Sequence, residues 1–314
     1  MGGQTIPRFR PSPCLCPGHV LAIVLVIWGL SLPHLHTPPP SLDAPLSRRA
    51  PQVSILMGMA PPPSSSCRRT ASFAEFAPVA LAAKSRVFVL TGAGISAESG
   101  IRTFRDANGL WEQHRFEDVA SPEGWAADPE LVWRFYAERR AQVTSCQPNA
   151  AHRALADLER TLGDRLFLCT QNVDDLHEKA GHGRVVHMHG ELMKSRCESC
   201  SRSPFDDAEA HGAVPRCECG ARIRPHIVWF GEEPVAMDRI QRALDACDVF
   251  VTIGSSGAVY PAAGFVRAVR ARAARGGASA TTLYVGPEEP DNAAVFDECR
   301  LGRAGEAVPG LFTA

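Results

Sequence analysis

The stretch that decides the fold is Arg86-Val-Phe-Val-Leu90, followed without a break by Thr91-Gly92-Ala93-Gly94-Ile95-Ser96-Ala97. A short apolar run built on the β-branched and aromatic residues Val87, Phe88 and Val89 suits a buried strand and is too short for a helix. The turn behind them fits G-x-G-x-x-G/A. Glycines there let the backbone fold tightly and approach a pyrophosphate, whose charge is met by amides at a helix start. Runs of the same kind recur at Arg165 to Cys169, Val249 to Ile253 and Thr282 to Val285. Between them lie helical patterns at Ala150 to Leu162, behind the cap Asn149, and at Met237 to Ala246. Strands alternating with helices predict an α/β, Rossmann-like, mostly parallel sheet covered on both faces.

A dehydrogenase would place an acidic residue about 20 positions beyond the glycines, at the end of a second strand. That region instead reads Ser99-Gly-Ile-Arg102-Thr-Phe104-Arg105-Asp106, polar and loop-like. A dinucleotide site without hydride transfer is the better reading. The strand ending at Cys169 runs into Thr170-Gln171-Asn172-Val173-Asp174, and ligands of open α/β sheets sit outside the carboxyl ends of the strands. His187-Met188-His189-Gly190 follows. Alternation puts the two rings on opposite faces, so they do not share a metal, and one is a candidate general base.

Outside this core the composition changes. The chain has 314 residues and 25 prolines, and 14 of these prolines fall in the first 80 residues. That segment carries six arginines against Asp43 and Glu75, net +4, so the formal charge of -1 for the whole leaves the rest near -5. Proline-rich and basic, residues 1–80 read as a disordered leader, of which residues 1–56 or 1–58 would not be translated if synthesis starts at Met57 or Met59. Its one apolar run, Val20 to Leu32, falls short of the roughly 20 residues that span a bilayer. Near-zero net charge excludes a global attraction to nucleic acid or to an anionic membrane.

Eleven cysteines cannot all pair. Four of them, Cys197, Cys200, Cys217 and Cys219, form C-x2-C, 16 intervening residues, then C-x-C. This approaches zinc-ribbon spacing, in which four thiolates with no open position make a structural site. The second pair is one residue too close, which predicts strain at that knuckle. Clustering of this kind suggests metal and an intracellular protein.

Taken together, Gly92 to Ser96, Thr170-Gln-Asn-x-Asp174, His189-Gly190, the cysteine pairs, Arg224-Pro-His-Ile-Val-Trp-Phe-Gly-Glu232 and Gly254-Ser-Ser256 resemble the sirtuin family of NAD-dependent protein lysine deacylases. The match covers about residues 81–312, with a helical segment near 105–147 and a zinc module near 191–224 beside the Rossmann-like core. The resemblance implies an NAD pocket of Gly92, Ala93, Gly94, Ile95, Ser96, Arg102, Phe104, Arg105, Gln171, Asn172, Asp174, Gly254, Ser255, Ser256 and Ala304. It implies His189 as the catalytic base and one structural zinc on the four cysteines. Ile227 and Val228 would offer backbone to which a substrate peptide adds as a strand. Nicotinamide, free lysine and O-acyl-ADP-ribose would be the products.

In Val132-Trp-Arg-Phe-Tyr136-Ala-Glu-Arg139, the i, i+3 spacing sets Tyr136 and Arg139 on one helix face. This pair, with the small residue Ala120, resembles the acyl pocket of class III sirtuins, which bind the carboxylate of succinyl-, malonyl- or glutaryl-lysine. A guanidinium in a partly dry pocket forms strong charge-assisted bonds to a carboxylate. Without the resemblance, Arg139 reads as an ordinary surface arginine of an amphipathic helix. One departure stands out: Tyr284 and Gly286 occupy positions where sirtuins carry Asn and Glu toward the adenosine ribose.

The expectation is a cytoplasmic transferase acting on NAD and on acyl-lysine proteins or peptides: a desuccinylase and demalonylase that retains deacetylase activity. No nucleic-acid or membrane partner is expected. Two other classes share parts of this chemistry. A mono-ADP-ribosyltransferase would use the same NAD pocket, and a non-catalytic zinc-ribbon interaction module would need only the cysteines.

Overall fold

The structure is a computed structural model and describes residues 68–70, 77–102, 110–111 and 114–313. Most of the leader, including Val20 to Leu32, lies outside the described residues, as do Phe104 and Arg105. Seven strands form one parallel sheet in the order Arg68–Thr70, Glu298–Leu301, Thr281–Gly286, Val249–Ile253, Val87–Thr91, Leu166–Thr170, Val185–His187. Val87–Thr91 sits inside the sheet, paired on one side with Leu166–Thr170 and on the other with Val249–Ile253. The strand Arg68–Thr70, together with Val79–Ala80, which pairs with Phe312–Thr313, extends the described fold upstream of residue 80.

The side-chain alternation of a strand explains why these runs are apolar throughout. Val87, Val89, Leu166, Leu168, Val251 and Ile253 face the helix Ala150–Leu162. Phe88, Leu90, Cys169 and Phe250 face the opposite side, toward the helices Met237–Ala246 and Phe265–Ala274. The first of these helices starts where its cap predicts. The Asn149 side chain accepts from the backbone N–H of Ala151 and of His152, and the His152 ring reaches back to the Asn149 backbone.

A third cluster lies apart from the sheet. The helix Pro129–Ser145 packs Val132, Trp133, Phe135 and Tyr136 with Ile223, Ile227, Trp229 and the buried thiols Cys197 and Cys217. Beside it runs a three-stranded antiparallel sheet, in the order Ile223–Ile227, Gly190–Cys197, Phe205–Asp206. The helical segment and the cysteine-bearing segment therefore share one core. Among the described residues no helix is long and apolar enough to cross a membrane.

Candidate active site

The carboxyl ends of three adjacent strands build the site. Gly92 and Gly94 pass so close to the end of Val249–Ile253 that a Cβ on Gly92 would lie 2.8 Å from the Gly254 carbonyl oxygen, and one on Gly94 2.7 Å from the Gly254 Cα. Gly254 itself has φ 64, and a Cβ there would meet the Ile95 amide nitrogen at 2.5 Å. Glycine is required at this crossing for space and for conformation. Backbone bonds from Gly92 N to the Ile253 carbonyl (2.9 Å) and from Gly94 N to the Gly254 carbonyl (2.8 Å) lock the two loops together. Ala304, buried at the start of the short helix Ala304–Ala307, joins the same loop because Glu98 accepts the N–H of Gly305 at 2.7 Å.

The polar residues converge as a network. Asn172 Nδ2 donates to Ser96 Oγ at 3.1 Å, and Ser96 Oγ donates to Asp174 Oδ2 at 3.1 Å; all three are buried. Burial raises the Asp174 carboxyl above its ordinary range, against the bonds it accepts from the Leu176 amide and Ser96. Gln171 Nε2 donates to Ser255 Oγ at 2.8 Å, which ties the second constellation to the loop at 254–256. Ser256 lies in that loop, with its Oγ accepting from the Ala258 amide at 3.3 Å. Arg102 is exposed just past the glycine loop.

His187 and His189 have different surroundings. His189 Nδ1 lies 3.0 Å from the Gln171 carbonyl oxygen, which can only accept. The proton therefore sits on Nδ1 and leaves Nε2 as the basic atom. Burial lowers the His189 pKa below the ordinary imidazole value, partly offset by that carbonyl, so the ring stays neutral. His187 places Nδ1 at 3.1 Å from the Asn172 carbonyl and Nε2 at 2.8 Å from Glu178 Oε1. Burial opposes its charge, but Glu178 and that carbonyl raise its pKa overall. A ring held at both nitrogens fixes the loop; His189 has the geometry of a base.

Beyond His189 the chain turns at Gly190 (φ 84), where a Cβ would meet the His226 carbonyl oxygen at 2.1 Å. Val228 N donates to the His189 carbonyl at 2.9 Å, and Ile227 pairs with Gly190, so the segment 227–228 lies beside the histidine. Ile223–Ile227 is an edge strand of its sheet. Ala120 is buried, and its carbonyl accepts from Phe230 N at 3.0 Å.

Tyr136 and Arg139 are both buried, at 0% and 4% exposure, which removes the surface-arginine reading. The neighbouring Arg140 is buried as well, but for structure: its Nε donates to the Leu192 carbonyl at 2.8 Å, and its guanidinium bonds Ser195 and pairs with Asp207.

The four cysteines converge, with their sulfurs within 4.8 Å of one another. Cys197 and Cys219 lie 3.6 Å apart, and Cys200 and Cys217 3.7 Å. A tetrahedron with Zn–S bonds of about 2.3 Å has edges of about 3.8 Å, so the donor set fits one structural zinc ion. The short C-x-C knuckle closes through Gly220 at φ 84, whose N–H bonds the Cys217 carbonyl at 2.8 Å. The strain expected from one missing residue is relieved by a left-handed turn. Tyr284 and Gly286 also prove to be one feature: a Cβ on Gly286 would lie 2.2 Å from Tyr284 Oη, so the phenol fills the space a side chain at 286 would need.

Sequence reading missed several buried contributors. Thr91 Oγ1 donates to Thr170 Oγ1 (2.8 Å), which in turn accepts the Asn172 amide (3.0 Å), bracing the amide loop from below. Arg224 clamps Glu232, and Trp229 bonds Tyr136. Arg224, Trp229 and Glu232 stood in a quoted motif, but the eight-residue Arg224–Glu232 clamp has no helical or strand spacing, and the Trp229–Tyr136 bond joins positions 93 apart.

A family model described as the Sir2 family matches residues 92–261. The chain is 54% identical over 230 residues to an "NAD-dependent protein deacylase" of Shewanella oneidensis, covering 72% of this chain and 92% of that one. It is 54% identical over 229 residues to a protein of the same description from Pasteurella multocida, covering 71% and 95%. Among solved structures, a Sir2 homolog–NAD complex aligns with TM-score 0.65 and 42% identity over 72% of this chain and 87% of that chain. A Sir2 protein bound to acetylated peptide aligns at TM-score 0.59 and 27% identity, over 70% and 89%. With the glycine crossing, the amide and carboxylate loop and the four-thiol cluster in one fold, and relatives matched over nearly their whole length, the chain belongs to the Sir2, or sirtuin, family.

Proposed function

We propose that this protein is an NAD-dependent protein-lysine deacylase that removes succinyl and malonyl groups in preference to acetyl. The deacylase reading is supported by the relatives' printed activity and by the joined network of Ser96, Asn172, Asp174 and His189. The acyl preference rests on one observation: Arg139 and Tyr136 are buried together in the core beside the segment carrying Ile227. Bound NAD supplies the glycosidic bond whose cleavage drives acyl transfer to its ribose, with release of nicotinamide. The chain supplies position and a base.

In this reading the glycine loop and Ala304 hold the phosphates and adenine, while Gln171, Asn172 and Asp174 orient the carboxamide and ribose. Arg102, Phe104, Arg105 and the loop 254–256 complete the pocket. The backbone of Ile227 and Val228 pairs with the substrate peptide. His189 Nε2 takes a ribose hydroxyl proton, and Nδ1–H stays on the Gln171 carbonyl and fixes the ring. Arg139 and Tyr136 bind the distal carboxylate of an acidic acyl group in the space left by Ala120. The four cysteines hold zinc and keep the small module folded. Residues 81–312 form the catalytic part, and the protein acts in the cytoplasm on acylated proteins, with no nucleic-acid or membrane partner.

The test is kcat/KM for succinyl- and acetyl-lysine forms of one peptide with NAD. A higher value for the succinyl peptide is expected. Equal values, or a preference for acetyl, would overturn the acyl assignment.

A further inference from the structure

The candidate base His189 is only as well placed as the carbonyl that holds it. Its Nδ1 lies 3.0 Å from the Gln171 carbonyl oxygen, and that carbonyl shares one peptide group with the N–H of Asn172. A trans peptide is planar, with its C=O and N–H on opposite sides, so whatever holds the Asn172 N–H also aims the Gln171 carbonyl. The holder is the Thr170 hydroxyl oxygen, which accepts that N–H at 3.0 Å.

Thr170 is not the end of the series. Thr91 Oγ1 lies 2.8 Å from Thr170 Oγ1, and His177 Nε2 lies 3.0 Å from Thr91 Oγ1. Thr91, Thr170 and His177 are each 0% exposed, so bulk water cannot replace a missing link. A hydroxyl has a single proton. Thr91 gives its proton to Thr170 and therefore accepts from His177, which puts the ring hydrogen on Nε2. Burial, with the His152, His182 and His187 rings nearby, lowers the His177 pKa well below the ordinary value, so the ring is neutral and carries that one hydrogen. Its Nδ1 has no hydrogen to give, and it lies buried with no hydrogen-bond partner among the described residues.

The short helix Leu176–Lys179 thus reaches the amide loop from two adjacent residues. His177 acts through the two threonines, and Glu178 acts through His187, whose Nδ1 lies 3.1 Å from the Asn172 carbonyl. An N–H bonded on one side of a peptide also strengthens the carbonyl on the other as an acceptor. We propose that His177 is a positioning residue for the base: its Nε2–H fixes Thr91, Thr91 fixes the Thr170 oxygen, and that oxygen anchors the peptide whose carbonyl keeps the His189 hydrogen on Nδ1. This rests on the deacylase reading above, in which His189 Nε2 takes the proton.

The test uses the full chain, NAD and one acyl-lysine peptide. His177→Leu deletes the donor, His177→Gln puts an amide N–H near the position of Nε2, and Thr91→Val breaks the next link with little change of shape. Two quantities are read: kcat for deacylation, and the tautomer of His189 from the nitrogen–proton correlation spectrum of histidine-labelled protein, its signals identified by their loss in His189→Ala. The unaltered protein should show hydrogen on Nδ1 and a bare Nε2. His177→Leu and Thr91→Val should each lower kcat about five- to tenfold, the effect of one buried hydrogen bond lost, and move His189 to a mixture of its two neutral tautomers. The double variant should fall no further than the worse single one, because the series is already cut. His177→Gln should restore most of kcat and the Nδ1–H form. Should His177→Leu not fold, Thr91→Val carries the same expectation.

A histidine that merely fills space would cost stability and leave His189 as it was. An unmoved His189 tautomer in a folded His177→Leu or Thr91→Val protein would overturn the inference, as would factors that multiply in the double variant or a His177→Gln protein no better than His177→Leu. The two failures separate. Normal deacylation with His189 unmoved in the variants refutes the role of His177 alone, whereas an unaltered protein that frees no lysine with NAD refutes the deacylase reading and this inference with it.

Discussion

Replacing Arg139 by methionine is the perturbation that separates acyl recognition from the rest of the chemistry. Arg139 as a residue is 4% exposed, with its guanidinium carbon 5.9 Å from the Phe135 ring centroid, so a carboxylate reaching it loses most of its water. Methionine preserves much of the aliphatic stem and removes the charge. Breaking a buried ion pair by deleting one partner costs about 3–5 kcal/mol, because the remaining charge stays buried and uncompensated. At about 1.4 kcal/mol per tenfold, that is a loss of roughly two to three and a half powers of ten in kcat/KM for a succinyl peptide. An acetyl group carries no such charge, so its turnover should survive. The assay is steady-state deacylation of matched peptides followed by separation of acylated and free forms, with a thermal midpoint on each variant to show that it is folded. Equal loss on both peptides in a folded Arg139→Met protein would refute the assigned contact.

Other outcomes follow from the same geometry. His189→Ala should lower deacylation of every acyl peptide by about two to four powers of ten, while NAD binding measured by calorimetry persists; retained turnover would remove the base from its role. Because burial depresses the His189 pKa, the neutral form persists below the ordinary value, and the acid limb of kcat/KM should have its midpoint below about pH 6.5; a midpoint above that contradicts the assigned environment. Chelation of the metal should unfold the cysteine module, read as loss of thermal stability with activity following it; a chelated protein of unaltered stability would refute a structural zinc. His152, buried and pushed down to about 4, and His177, buried beside it with ring centroids 4.9 Å apart, are neutral in the folded protein. The unfolded chain then binds more protons below about pH 6.5. Stability should fall as pH drops from there toward 4, by about 1.4 kcal/mol per pH unit for each group fully titrating only when unfolded. Denaturant titrations at pH 7 and 5 with no difference would contradict this.

Much of the fold could be read from local pattern. Val249 to Ile253 and Met237 to Ala246 are found with the bounds the sequence suggests, because continuous β-branched runs and a clear apolar stripe are signals carried within a few residues. Asn149 marks the start of its helix for the same reason. Arg68–Thr70 carried no such signal: two arginines and a threonine become a strand through pairing with Glu298–Leu301, over 200 residues away. The burial of Arg139 was equally invisible. Helical spacing put it on the face of Tyr136, but Arg139 and Arg140 look alike in sequence, and only packing shows that both are buried and that Arg140 is taken up by Asp207 and Ser195. The cysteine spacing suggested strain because counting residues ignores conformation, and Gly220 supplies the turn that a longer loop would otherwise make. Tyr284 and Gly286 looked like two independent departures; in three dimensions they occupy one volume.

The central claim is that this chain couples cleavage of NAD to removal of an acyl group from lysine. It is tested most directly by incubating the full protein with NAD carrying a label on its ADP-ribose half and a succinyl-lysine peptide, counting nicotinamide, free-lysine peptide and labelled products together. The account predicts one nicotinamide released for each lysine freed, with the label in O-succinyl-ADP-ribose and none on the protein. Label on the protein without deacylated peptide, or no nicotinamide at all, would contradict it.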